Sequence, residues 1–370
     1  MTIFGFGQRT ALGFLAALVV AGPGQAQAPA AAAPQTGPGV QAPRDANYQA
    51  YLAANCKNPP APAAPPAPRP PAAAPPAHRD YAVTAIPGVI AAGATWQTVW
   101  TGTGNNADGP VATVDGGMLF AQNTDSKVMK LDRNGTVSFP YAGTSTSGSL
   151  AMNKNGALFV AQRALPQEIW QLEPKRERFV SLYKGEPIDC AGGLINDMTA
   201  DSQGGLYFTK GGVFHADAKG VVTQYGTLTG PNGIILSPDE KTLYVTGRLD
   251  STPTPAPVAG APPGARPGGL VAYDIGADGA LTNERQFALV GADGSAVDQQ
   301  GRIYTTGGGG VQVVDKDGKF LGEIPSPLPL ITVAFSGPDK KTLYGVANTQ
   351  QFVEIFTLPM IAQGYTGRAK

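Results

Sequence analysis

Charge is scarce in this chain and balanced where it occurs. Only 15% of the 370 residues are charged, 27 basic against 27 acidic, so no net field draws the protein to nucleic acid or to an anionic membrane. Imidazole is scarcer still. Two histidines, His78 and His215, are too few for a histidine-rich zinc site or a His-based relay, and His215 reads as a structural residue on a strand. No apolar run is long enough to span a membrane: Ala11 to Ala21 falls well short of the roughly 20 residues required. No G-x-S-x-G elbow or phosphate-binding glycine loop stands in a strand-to-helix context, and Gly307-Gly308-Gly309-Gly310 reads as a flexible turn before Val311. Lys175-Arg176-Glu177-Arg178 is a solvated turn, not a nucleic-acid patch, and Trp96, Trp100 and Trp170 are assigned to core or closure.

Glycine (49) and proline (34) are plentiful, and fourteen of the prolines lie between Pro29 and Pro76, so the low-complexity signal is local. Residues 1–28 read as a signal peptide: Arg9, the apolar run, Gly22-Pro23-Gly24 and the small-x-small triplet Ala26-Gln27-Ala28, with cleavage after Ala28. The mature protein is therefore expected to be periplasmic or secreted. Residues 29–93 are read as a disordered Pro/Ala-rich tether, whose composition buries too little apolar surface to offset ordering entropy. Within it, 45–55 has the pattern of a short helix capped by Asp45, with Tyr48, Tyr51 and Leu52 on one face to dock on the main domain or on a partner. Cys56 beside that helix and Cys190 in the main domain leave two readings open, a disulfide that pins the tether or two unpaired thiols.

After Ala94 the chain becomes short β-type runs separated by Gly, Asp and Asn turns, and one phrase recurs. A turn of the Asp-x-x-Gly kind followed by an apolar-aromatic pair appears six times, anchored at Phe120, Phe159, Tyr207, Tyr244, Tyr304 and Tyr344. The anchors are spaced 39, 48, 37, 60 and 40 apart, and the outlier returns to 41 once the Pro/Gly-rich insertion Ser251 to Gly269 is removed. A period near 40 with four short strands per unit predicts an all-β, six-bladed β-propeller over 94–364, followed by a tail at 365–370. An open ring would leave an unpaired edge, so Thr95–Trp100 is expected to share a blade with Phe352–Phe356.

Counting back eleven or twelve residues from each anchor lands at the mouth of the channel, on Asp108, Ser147, Asn196, Asn232, Asp293 and Thr332. Rotational repetition places all six around one axis. A single Asx-Gly pair is explained by a tight turn, but Asp108-Gly109, Asn196-Asp197, Asn232-Gly233 and Asp293-Gly294 stand in register. Two carboxylates and two amide oxygens, without imidazole or thiolate, make a hard-oxygen cluster suited to Ca²⁺, Mg²⁺ or Mn²⁺.

The run from Pro231-Asn232-Gly233 to Tyr244-Val245-Thr246, with Asn196-Asp197-Met198-Thr199-Ala200-Asp201 and Val333-Ala334-Phe335-Ser336-Gly337-Pro338-Asp339, resembles the SMP-30/gluconolactonase/LRE-like family of six-bladed propellers from about Thr95 to Gly364. The resemblance implies one divalent cation on the axis, held by Asp108, Asn232 and Asp293 with Asn196 lining the same site. Two positions depart from the family pattern, Asp108 for the usual Glu and Ala292 for the Pro before Asp293-Gly294. The shorter carboxylate draws the ion toward blade one, reaches it through water, or weakens binding. Leu194 stands where sugar-acid lactonases commonly carry Arg, which implies a substrate with an apolar portion.

The expected activity is hydrolysis of a lactone or related cyclic ester by an exported enzyme with one divalent cation, Ca²⁺ first, with Mg²⁺, Mn²⁺ and Zn²⁺ open. The cation polarises the carbonyl, Asp293 acts as general base, Asn196 and Asn232 orient substrate and ion, and Leu194 contacts the substrate. The alternatives are a non-catalytic periplasmic binding propeller with a structural cation, and a phosphotriesterase or lyase on the same fold. The expected partner is a small molecule, with a further partner for the tether open, and the expected state is a monomer.

Overall fold

The computed structural model describes residues 39–61, 77–103, 107–249, 268–291, 293–348 and 352–367. The signal peptide read at 1–28 lies outside the described residues. So do Ala292, the tether residues 29–38 and 62–76, residues 251–267 of the insertion and 368–370 of the tail.

Each recurring phrase builds a blade. In blades two, three and five the Asx side chain of the turn accepts from backbone N–H groups two and four residues on, as Asn153 does from Asn155 and Ala157, Asp201 from Gln203 and Gly205, and Asp298 from Gln300 and Arg302. That pattern reverses the chain and delivers the next residues into a strand. All six aromatic anchors are buried on second strands. Truncating one to Ala costs roughly 3–5 kcal/mol at a site so enclosed.

Among the described residues there are six antiparallel four-stranded sheets. Their innermost strands are Ala107–Ala112, Ser147–Met152, Met198–Ala200, Ile234–Leu236, Ser295–Val297 and Thr332–Ser336, in blades one to six. Blade six closes the ring as expected: Gln97–Thr103 pairs with Phe352–Pro359 as its outermost strand. Apolar clusters fill the seams between neighbouring blades, for example Phe159, Ile169, Met198, Phe208 and Phe214 between blades two and three.

The pairing settles where the blade-four insertion leaves the sheet. Thr246 ends the second strand, and its carbonyl accepts from Asn232 N–H at 3.1 Å, so the chain departs at the face that carries Asn232.

The two described pieces of the stretch read as a tether are packed on the propeller. The helix is Tyr48–Asn55, shorter than the 45–55 expected, because Asp45 accepts from Asn47 N–H at 2.8 Å and closes a turn before the helix begins. Tyr48 and Leu52 are buried with Leu165 and Cys190. Cys56 and Cys190 form a disulfide that closes a loop of 134 residues. Val83, Ile86, Val89 and Ile90 join Trp96 in the seam between blades five and six, and Trp96 Nε1 donates to Pro325 O at 2.8 Å. The expected tail is also engaged, since Tyr365 N–H donates to Val297 O.

Reducing the Cys56–Cys190 bond is expected to cost up to about 5 kcal/mol of stability for a loop of this length, read as a lower melting temperature. Calorimetric melts with and without dithiothreitol, beside a Cys56→Ser/Cys190→Ser variant, measure it. Equal melting temperatures would show that the cross-link adds nothing to stability.

Candidate axial site

Four blades deliver oxygen to the mouth of the channel. Asp108 lies in the inner strand of blade one, while Asn196, Asn232 and Asp293 each stand two residues ahead of the inner strands of blades three, four and five. Asp108 pairs with Ala121 and Val111 with Leu119, so the intervening Gly109-Pro110 forms a bulge; proline has no N–H for the ladder, and the kink re-aims the carboxylate. Gly233 packs on the Asp293 carbonyl, where a Cβ would come within 2.2 Å of the oxygen, so only glycine lets blades four and five approach this closely.

These residues form one connected group. Asn196 Nδ2 donates to Asn232 Oδ1 at 2.6 Å, and the Asn232 side chain is hydrogen-bonded to Asp293. Burial, then the charges of Asp108 and Asp197, hold the Asp293 carboxyl well above the usual aspartate range, against the opposing pull of Arg163 and Asn232. Asp197, behind Asn196, accepts from Ser149 Oγ at 2.8 Å and from the Met198 and Ile234 N–H groups, which fixes the turn that carries Asn196.

The other two positions of the ring do not join. Ser147 Oγ donates to Lys127 O and accepts from Thr144, so it is turned into the seam between blades one and two. Thr332 is buried, its hydroxyl next to Gly294 and without a hydrogen-bond partner among the described residues. Leu194 is half-buried on the loop that leads to Asn196.

Two features were not visible in the sequence. Blade two supplies a cation instead of an oxygen: Arg163, just after its second strand, is buried with Nε on Ile195 O at 2.7 Å and Nη2 on Asn196 O and on Asn196 Oδ1 at 3.1 Å. Its Nη2 also lies 3.5 Å from Asp108 Oδ2. The seat exists because Gly148, the extra residue of a bulge between Ser147 and Ser149, has no side chain; a Cβ there would sit 1.8 Å from Arg163 Nε.

The second feature is a polar brace under the Asn196 loop. Gln167 donates from its backbone to Asp189 Oδ2 and from Nε2 to Asp189 Oδ1, and accepts from Ile195 N–H at 2.8 Å. Lys210 Nζ donates to Gly192 O and Gly193 O, and burial pushes its pKa down to about 8 despite the opposing charge of Asp189. His215, by contrast, is a structural residue, stacked on Tyr207 and bonded to Asp201.

Among the described residues, no group of three or more His, Cys, Asp and Glu side chains is placed to hold a metal ion by itself. The axial donor set nevertheless fits a divalent cation. Its oxygens are hard, and Asp108, Asp197 and Asp293 against Arg163 leave two negative charges when all are ionised.

A family model described as the SMP-30/Gluconolactonase/LRE-like region matches residues 106–348. The chain belongs to that family. It is 26% identical over 210 residues to lactonohydrolase oryL of Aspergillus oryzae, covering 48% of this chain and 47% of that one. Against a gluconolactonase of Zymomonas mobilis it is 25% identical over 211 residues, with 48% and 54% covered. The chain thus spans about half the length of the curated relatives it matches. Two solved structures share the fold. A gluconolactonase from Xanthomonas campestris superposes with a TM-score of 0.62 at 22% identity, covering 78% of this chain and 98% of the other. A calcium-binding regucalcin from Agrobacterium tumefaciens gives 0.54 at 19%, covering 72% and 95%.

Replacing Gln167 by Ala strips Ile195 N–H, Gly193 O and one Asp189 oxygen of a buried partner. The expected loss is about 2–4 kcal/mol. Urea denaturation measures it, and a shift in the midpoint at unchanged slope is the expected form.

Proposed function

We propose that this protein is an exported hydrolase that opens a lactone or related cyclic ester with the help of one divalent cation, Ca²⁺ first. The observation that carries the reading is the axial group itself: a carboxylate, Asp293, bonded to Asn232 and through it to Asn196, at the channel mouth of a gluconolactonase-family propeller. The names of its relatives, a lactonohydrolase and a gluconolactonase, agree with it.

Asp293 and Asn232 are the residues that would hold the cation most directly, with Asp108 and Asn196 beside them on the Arg163 guanidinium. When bound, such an ion supplies a Lewis acid that polarises the ester carbonyl and stabilises the developing oxyanion. Asp293 takes a proton from the water that attacks the carbonyl carbon, and its raised proton affinity makes it a stronger base than an ordinary aspartate. The ring C–O bond then breaks, and the departing oxygen recovers that proton, leaving a hydroxy acid. Asn232 and Asn196 orient the reacting group, and the Gln167–Asp189 brace keeps Asn196 in place. Leu194 offers no partner to a substrate carboxylate, so the preferred substrate has an apolar or aromatic portion.

Three outcomes follow. Asp293→Ala and Asn232→Ala are expected to lose bound metal together with lactone hydrolysis, while Ser147→Ala changes little; elemental analysis and a panel of aliphatic, aromatic and sugar lactones, with and without chelator, measure both. Inactivity of the metal-replete protein across that panel would overturn the hydrolase reading. An aromatic or alkyl lactone is expected to show higher kcat/KM than gluconolactone, with Leu194→Arg shifting the ratio toward the sugar. Because the base must be ionised, kcat/KM is expected to fall as pH drops through the raised pKa of Asp293. That acid limb should move to lower pH as Ca²⁺ increases, since the ion and the proton compete for one carboxylate; pH–rate profiles at two Ca²⁺ concentrations test it.

A further inference from the structure

We propose that Arg163 is a built-in counter-ion that sets the affinity of the axial site for divalent cations. It holds Asp108 and the Asn196 amide oxygen on its guanidinium, which leaves Asp293 and Asn232 as the principal protein ligands. The inference rests on the cation-binding reading of the site and adds what controls that binding.

The guanidinium is seated, not passing. Its backbone N–H donates to Thr146 O, its carbonyl accepts from Ala42 N–H at 2.7 Å, and Nε is fixed on Ile195 O. With both ends of the residue held and Gly148 leaving room beside Nε, the charge cannot swing away from the axis without losing those bonds. Nη2 then faces two of the four oxygen groups at once, Asn196 Oδ1 at 3.1 Å and Asp108 Oδ2 at 3.5 Å.

Two consequences for a cation follow. Asn196 accepts from Arg163 and donates to Asn232, so its amide oxygen points at the guanidinium. Asp108, one methylene shorter than the Glu usual in the family, faces a fixed positive charge. An arriving ion therefore meets repulsion from Arg163 and finds one carboxylate already neutralised, and both effects weaken its binding. Burial lowers the Arg163 pKa and the charges of Asp108, Asp197 and Asp293 oppose that; a guanidinium binds its proton so tightly to begin with that the charge is kept at working pH.

The test is Ca²⁺ titration calorimetry on chelator-treated full-length protein, with Arg163→Met, Arg163→Gln and Arg163→Lys beside the parent. Removing the charge is expected to tighten Ca²⁺ binding about tenfold or more in the Met and Gln variants, with Lys within about threefold of the parent. The sign separates this role from a structural one: if Arg163 only braces the Asn196 loop, both neutral variants bind Ca²⁺ more weakly, and the proposal falls. Ca²⁺ binding by the Met variant but not by the parent would uphold the counter-ion and sink cation-dependent hydrolysis; no binding by either would overturn both. Melting curves check each variant for folding. Gly148→Ala, which keeps the arginine but drives its guanidinium off its seat, supplies the same reading if the neutral variants do not fold.

Discussion

Closure of the ring is the constraint on which the axial site depends. Asp108, Asn196, Asn232 and Asp293 come from blades one, three, four and five, and they meet only because six wedge-shaped sheets complete a circle. Antiparallel pairing of Gln97–Thr103 with Phe352–Pro359 makes that circle, and Trp100 leans on Phe120 to tie blade six to blade one. Every seam between blades is apolar, so burial around the circumference supports an interior rim that is polar and electrostatically costly. A rim of carboxylates that repel one another could not assemble on a scaffold free to spread.

Within that rim, one positive charge stands among three negative ones. Blade two breaks the pattern of oxygen donors: Ser147 turns away, the chain bulges at Gly148, and Arg163 enters the gap. Polar groups bury well only in complete sets, and the three carboxylates around the axis are met by different groups: Asp108 by the Arg163 guanidinium, Asp197 by the Ser149 hydroxyl and the Ile234 N–H, and Asp293 by the Asn232 amide. The same logic is repeated one layer out by Gln167 and Lys210, which donate to the carbonyls of Gly192 and Gly193 from beneath, while Asp189 accepts from Gln167 and holds it in place.

How much of this could be seen beforehand depended on whether a feature repeats. The aromatic anchors recur with a period near 40, so blade number, ring closure and the placement of four Asx residues at one mouth were legible. Arg163 stands four residues after its anchor, as Arg248 does after Tyr244, so position alone does not single it out; its role comes from a bulge and a missing Cβ next door, and neither leaves a periodic trace. Gln167, Asp189 and Lys210 are separated along the chain and look like ordinary surface polar residues until the fold buries them. The cysteine pair was undecidable because a disulfide is a statement about distance, and only the docking of the Tyr48–Asn55 helix brings Cys56 within 5.5 Å of Cys190 by Cα. The insertion could not be assigned to a face until the ladder showed Thr246 to end a second strand.

The family match spans residues 106–348, and the self-supporting body does not. A fragment cut to the matched region omits both strands of the closing pair, Gln97–Thr103 and Phe352–Pro359, together with the Cys56 half of the disulfide and the apolar stretch Val83–Ile90 that fills the last seam. Blade six would keep two strands of four and blade one would face solvent. Sequence homology thus marks where the ancestral pattern is recognisable, whereas the cooperative unit begins far upstream, at the segment whose Gly39 N–H bonds Thr146 and whose Ala42 N–H bonds the carbonyl of Arg163. Expression boundaries drawn from alignment alone would separate the barrel from its own hoops.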